Sequence, residues 1–207
     1  MKTARVLLVC FLLLLLSSCV PILSLHRWYS DADLVLEPGL VGDWYSVDDD
    51  GKVDTSSTRT FVQNLPQGYT LSLADEAHPD VRQTYAIYLF RLKGQLFVDA
   101  CQAATYYKTD ITDDGGGAIP GHMGGKIAID SDNVHAEFVE DDWIKSALKS
   151  NTKLIRNERV GDNIYITAPE NELQQFLLNA PANDKAYAFT VKLRRTSAFA
   201  APTPAKP

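Results

Sequence analysis

Residues Thr84 to Asp99 read TYAIYLFRLKGQLFVD, two apolar runs separated by Lys93-Gly94. The first run, Thr84 to Leu92, is rich in β-branched and aromatic residues and is apolar at both odd and even positions. A strand with one solvated face alternates, so an unbroken apolar run marks a strand covered on both faces. Lys93-Gly94 is a tight-turn pair, and Gln95 to Cys101 follows as a second strand. The stretch therefore predicts a central β-hairpin.

The pattern continues on either side. Gly39 to Val47 precedes an acidic turn, Asp48-Asp49-Asp50-Gly51. Thr58 to Val62 is β-prone, and Tyr69 to Leu73 alternates strictly. Lys126 to Asp130 and Asn133 to Phe138 form a second pair around Ser131-Asp132. Thr152 to Val160 and Ile164 to Thr167 flank the turn at Gly161, and Ala186 to Arg195 closes the series. About nine short strands at hairpin spacing predict an antiparallel barrel or sandwich. Two helices interrupt it. One starts near Asp142 with Ile144 and Leu148 on one face. The other has Leu173, Phe176 and Leu177 at helical spacing, with Thr167 and Glu170 as a capping box and Pro181 as its stop. The long segment Ala104 to Gly125, rich in Gly and Asp, reads as a loop that is either functional or mobile.

The ends carry different information. Met1 to Arg5 holds Lys2 and Arg5, and Val6 to Leu16 contains no polar side chain. That is the charged start and apolar middle of a signal peptide, too short to span a bilayer alone; an uncleaved anchor would need Val20, Ile22, Leu23 and Leu25 to extend it past Ser17, Ser18 and Pro21. The run ends at Leu16-Ser17-Ser18-Cys19, which resembles the lipobox of bacterial lipoproteins. The resemblance implies cleavage between Ser18 and Cys19, and attachment of a diacylglycerol and an N-acyl chain to Cys19. No other cofactor is expected. It implies an exported protein held on a membrane by lipid, with Val20 pointing to the outer membrane. Cys10 would leave with the signal peptide, so Cys101 would have no disulfide partner. Cys101 reads as a small buried residue rather than a nucleophile.

The expected organisation is a signal peptide (1–18), a lipidated tether (19–38), a β domain (39–196) and a Pro-rich tail (197–207). Trp28 and Tyr29 would either sit at the head groups or pack on the domain. Without residues 1–18 the chain keeps 18 basic and 26 acidic side chains, a net −8. Such a balance gives no reason to bind nucleic acid.

Leu40-Val41-Gly42-Asp43-Trp44 resembles the Gly-x-Trp opening of lipocalin-like barrels, in which the indole closes one barrel end. The order of later features resembles a group of uncharacterised bacterial lipoproteins over about Leu40 to Leu177: Arg91 to Asp99, Asp142-Trp143-Ile144, Ile166 to Pro169, and Glu172 to Leu177. The resemblance implies a mainly β fold with two short helices, either a lipocalin-like or half-open barrel or an α+β sandwich. The helices and the long Gly loop depart from a simple eight-stranded calyx.

No nucleophile elbow, phosphate loop, dinucleotide fingerprint or paired metal-binding histidines occur. His122 with Asp113 or Asp114 would need further converging ligands to hold a metal. Trp44, Tyr85, Tyr88 and Phe97 are the candidate pocket residues. The expectation is a non-enzymatic envelope protein that binds an apolar small molecule or an envelope partner. An interaction module for envelope assembly is the alternative, and a hydrolase without a nominated nucleophile is a third.

Overall fold

The computed structural model describes residues 22–75, 81–107, 121–161, 163–181 and 185–196. Eight strands close into an antiparallel barrel: β3 (Gly42–Val47), β4 (Val53–Leu65), β5 (Gly68–Asp75), β6 (Val81–Leu92), β7 (Gln95–Tyr107), β8 (His122–Ile129), β9 (Asn133–Phe138) and β12 (Phe189–Arg195). Strands β3 to β9 pair in chain order. β12 then inserts between β9 and β3, with Val191 opposite Ala136 and Leu193 opposite Ser46. Closure pairs each of the eight strands with a neighbour on both sides.

The turns follow their residues. Lys93 and Gly94 both have positive φ, 48° and 85°, as a two-residue hairpin turn matched to strand twist requires. The Asp130 carboxylate accepts the backbone N–H groups of Asp132 and Asn133, which fixes the β8–β9 turn. Those hydrogen bonds favour the charged form and hold its carboxyl below the usual range.

Between β9 and β12 the chain leaves the ring. It forms α1 (Asp141–Ser150), β10 (Asn157–Val160), β11 (Asn163–Ile166) and α2 (Glu170–Asn179). Two N-terminal strands, β1 (Leu23–Ser24) and β2 (Leu34–Val35), join the same outer layer. β9 leaves the β8 edge at Gly125, and β1 continues that edge by pairing Ser24 with His122. β1 also runs parallel to β11, while β2 pairs with β6. Among the described residues no helix is long and apolar enough to cross a membrane.

The strands therefore separate two cores. Trp44, Phe61, Tyr69, Leu89, Val98 and Leu193 fill the inside of the ring. Tyr88 packs with Phe90, Phe97, Trp28, Leu173 and Phe176 between the outer face of β6–β7 and the added layer. This explains the apolar 84–92 run: successive side chains point to opposite faces, and both faces are covered.

Several local expectations are corrected. Residues 19–38 do not act as a tether from Ile22 onward. Trp28 and Tyr29 are buried at 2% and 6% exposure, and so pack on the barrel. The expected Gly loop is strand at both of its ends: β7 runs on to Tyr107, and His122 to Gly125 belong to β8, while residues 108–120 lie outside the described residues. Gly124 has a packing reason, because an added Cβ there would lie 2.4 Å from the Trp28 ring. Thr167 and Glu170 form no capping box. Pro169 is the N-cap residue of α2, without a side-chain hydrogen bond. Residues 152–156 are not strand; β10 starts at Asn157. Cys10, Ser18, Cys19, Asp113, Asp114 and the tail 197–207 lie outside the described residues.

Candidate functional site

One end of the ring is sealed. The Trp44 indole is fully buried, and its N–H donates to the Leu40 carbonyl at 2.9 Å. The short 3-10 turn Pro38–Leu40 brings that carbonyl over the barrel end. Arg195, at the end of β12, lies opposite Trp44, with its guanidinium 4.1 Å from the ring centroid. That guanidinium also donates to the carbonyls of Ser131, Val41 and Gly39, tying three chain segments across the seal. Tyr69 adds a further tie, its hydroxyl accepting the Glu37 N–H at 2.7 Å.

The other end holds a cavity of about 370 Å³, within the range of small-molecule sites. Its wall draws on all eight strands, and Val47 at the end of β3, Phe138 at the end of β9, Met123 near the start of β8 and Phe189 at the start of β12 mark its position. In an antiparallel ring these all lie at one end. Phe61, Leu71, Tyr85, Ile87, Met123 and Phe138 are among its apolar lining residues. Phe189 stands at the rim, 51% exposed, with its ring 5.7 Å from that of Phe138.

The four sequence candidates separate by strand face. Tyr85 lines the cavity. Trp44 belongs to the same inner core but forms its sealed end. Tyr88 and Phe97 face the opposite way, into the outer core, where Tyr88 meets Tyr29 and Phe97 stacks on Phe90. Strand alternation compels this: Ile87 and Leu89 point inward, so Tyr88 and Phe90 cannot. The sequence reading passed over Met123, Phe138 and Arg59. Met123 was hidden by its assignment to the Gly loop; the register pair Ala100–Met123 puts both into the lumen.

A second polar site lies outside the ring. Asp99 is fully buried. Its carboxylate accepts the Trp28 backbone N–H at 3.0 Å, and His122 Nδ1 lies 3.0 Å from both of its oxygens. Facing a carboxylate, Nδ1 carries the proton and donates it. The Trp28 indole N–H points to the His122 carbonyl at 3.4 Å. A buried carboxylate is stable only with such partners, and here they clasp the N-terminal segment to β7 and β8. The Asp99 position was readable as alternation in Leu96-Phe97-Val98-Asp99-Ala100. Its partner 71 positions upstream was not. Cys101 is opposite His122 in the ladder and is buried. Burial, with the Asp99 charge adding, pushes its thiol up to about 11, so the thiol is protonated at neutral pH. A reactive cysteine needs the reverse shift.

No family model matches the chain, and neither the curated proteins nor the solved structures compared with it give a match.

Proposed function

We propose that this is a lipid-anchored envelope protein whose barrel binds an apolar small molecule in its lumen, without catalysing a reaction on it. The observation that carries the reading is the apolar cavity beside a sealed barrel end. A ring of eight strands is just wide enough to be filled by side chains or to hold one small ligand. Here the inner residues fill one end and leave the other open to the rim at Phe189. Burying an apolar ligand there gains about 25 cal/mol per Å² of surface removed from water.

The test is displacement of a hydrophobic fluorescent dye, followed on the chain as purified and on Ala136→Phe. Ala136 is 5% exposed and lines the cavity, so a phenyl ring would occupy the ligand volume. Loss of dye binding in the folded variant supports the reading. A wild-type chain that binds no dye, or a variant that binds as well as wild type, refutes it.

The anchor is a separate part of the proposal. Cys19 lies four residues before β1, and its role rests on the Leu16-Ser17-Ser18-Cys19 pattern. Cys19→Ser should release the protein from membranes and remove the lipid mass; membrane retention would refute it. One observation favours the alternative reading, a protein-binding module. β10 pairs only with β11, so its outer edge is open among the described residues, and Val160 at its end is 65% exposed. An extended segment of an envelope partner could add there as a further strand. Crosslinking through position 160 should then recover one repeated partner.

A further inference from the structure

The first described residue is held without slack. Ile22 is 7% exposed and belongs to the outer core. Its N–H donates to the Asp141 carboxylate at the start of α1. Next along the chain, β1 runs parallel to β11, with Leu23 opposite Tyr165. One residue back, the same register brings Ile22 level with Ile164. The chain therefore enters the domain beside the β10–β11 turn, where Val160 is opposite Asn163. Two strand spacings, about 10 Å, separate β10 from β1. Val160 is 65% exposed, more than any other large apolar side chain among the described residues.

We infer that the domain lies directly on the bilayer that carries its anchor, and that the β10–β11 turn, with Val160 at its tip, is the surface that meets lipid. This deepens the anchor reading and rests on it. The argument is one of length. Three peptide links join Ile22 to Cys19, and fully extended they span at most about 11 Å. A diacylglycerol on Cys19 puts that residue at the head groups, so the surface around Ile22 lies no farther from them than this. A long flexible tether would let the domain turn any face to the membrane. Three links ending on a buried, hydrogen-bonded residue present one face. At the head-group boundary the Val160 side chain loses part of its contact with water, which is favourable. The chain is net negative, so anionic lipid repels it weakly and the contact is apolar rather than electrostatic.

Val62 supplies the comparison. It too is an exposed valine, at 47%, but it sits on β4. Round the ring, β4 is separated from β8 by β7, β6 and β5 one way and by β9, β12 and β3 the other. β1 pairs with β8, so the two valines lie on opposite sides of the barrel.

The experiment uses the full lipidated protein in phosphatidylcholine vesicles. Val160→Cys and Val62→Cys are each labelled with an environment-sensitive fluorophore, and wild type, whose Cys101 is buried, gives the background. A lipid spin-labelled at its head group is then added as quencher. The label at 160 should lose most of its emission, and the label at 62 little. Inserting about ten Gly and Ser residues between Val20 and Pro21 adds about 18 Å of flexible chain. That insertion should restore emission at 160 while the protein stays on the vesicles. Equal quenching at both positions, none at 160, or quenching at 160 that the insertion leaves unchanged overturns the contact surface. The anchor reading then still stands if mass spectrometry finds the lipid on Cys19, and an unquenched 160 leaves the β10 edge to a protein partner. If Cys19 carries no lipid and the protein does not stay on the vesicles, both readings fail.

Discussion

Strands β6 and β7 show two different interiors on their two faces. The outer face is full: Phe90 and Phe97 are wholly buried and stacked, with Trp28, Leu173 and Phe176 over them. The inner face of the same strands, at Tyr85, Ile87 and Ala100, borders a cavity of about 370 Å³. Protein interiors are ordinarily packed to the density of organic crystals. The difference teaches that one face can hold the strands in place while the other keeps open space inside the ring. A plain barrel has only its lumen to fill. This one has the added layer of β1, β2, β10, β11, α1 and α2, which gives β6–β8 a second core.

The comparison can be broken by truncation on each side. Phe97→Ala removes a fully buried ring from the outer core and should cost about 3–5 kcal/mol in urea unfolding. Leu71→Ala, on the wall of an existing cavity, should cost less than half as much. Equal losses would mean that the two faces share the load evenly.

The clasp comes next. Asp99→Ala leaves the Trp28 N–H and the His122 ring without their acceptor, and should cost about 3 kcal/mol. Because the clasp holds the N-terminal segment, limited proteolysis should also begin to cut between residues 22 and 35. Unchanged cleavage there would show that apolar packing alone holds that segment.

A finer probe uses neighbours on β8 that face opposite ways. Gly124→Ala drives a methyl group into the Trp28 ring, 2.4 Å from the new Cβ, and should cost about 1–3 kcal/mol. Met123→Leu, facing the cavity, should cost under about 1.5 kcal/mol. A reversed order would contradict the division into a tight outer face and a loose inner one.

The smallest effect is in pH. The folded Cys101 thiol holds its proton more tightly than the ordinary value of 9.0, up to about 11. Its contribution to stability is therefore complete below pH 9 and is lost as pH rises through about 11. Burial raises Tyr29 and Tyr187 as well, so the measurement is the difference between wild type and Cys101→Ala. That difference should change in wild type's disfavour across the window. A flat difference would place the thiol in water.

Much of the ring was legible locally. Lys93-Gly94 declares its turn through residues that tolerate or favour positive φ, and β9 was read to its observed bounds, Asn133–Phe138. Ile144 with Leu148 and Leu173 with Phe176 and Leu177 placed both helices by their spacing. The candidate site was less legible. Tyr85 and Tyr88 look alike in a run apolar on both faces, yet only Tyr85 lines the cavity. Met123 and Gly124 were read as loop because glycine ordinarily breaks strands, whereas here Gly124 is demanded by an indole from far upstream.

Sequence alone determined that the chain is mainly β, where most of its hairpins turn, and where its two helices lie. These are properties of neighbouring residues, set by backbone preference and by periods of two and 3.6. Only the tertiary structure decided that β12 returns to close the ring between β3 and β9. It also decided which face of β6 and β7 becomes the lumen, and that Asp99 meets Trp28 and His122. Periodicity reports that a strand has two faces, but it does not label them. The label comes from what closes against each face, and those partners lie far along the chain, as Arg195 does from Val41, 154 positions away.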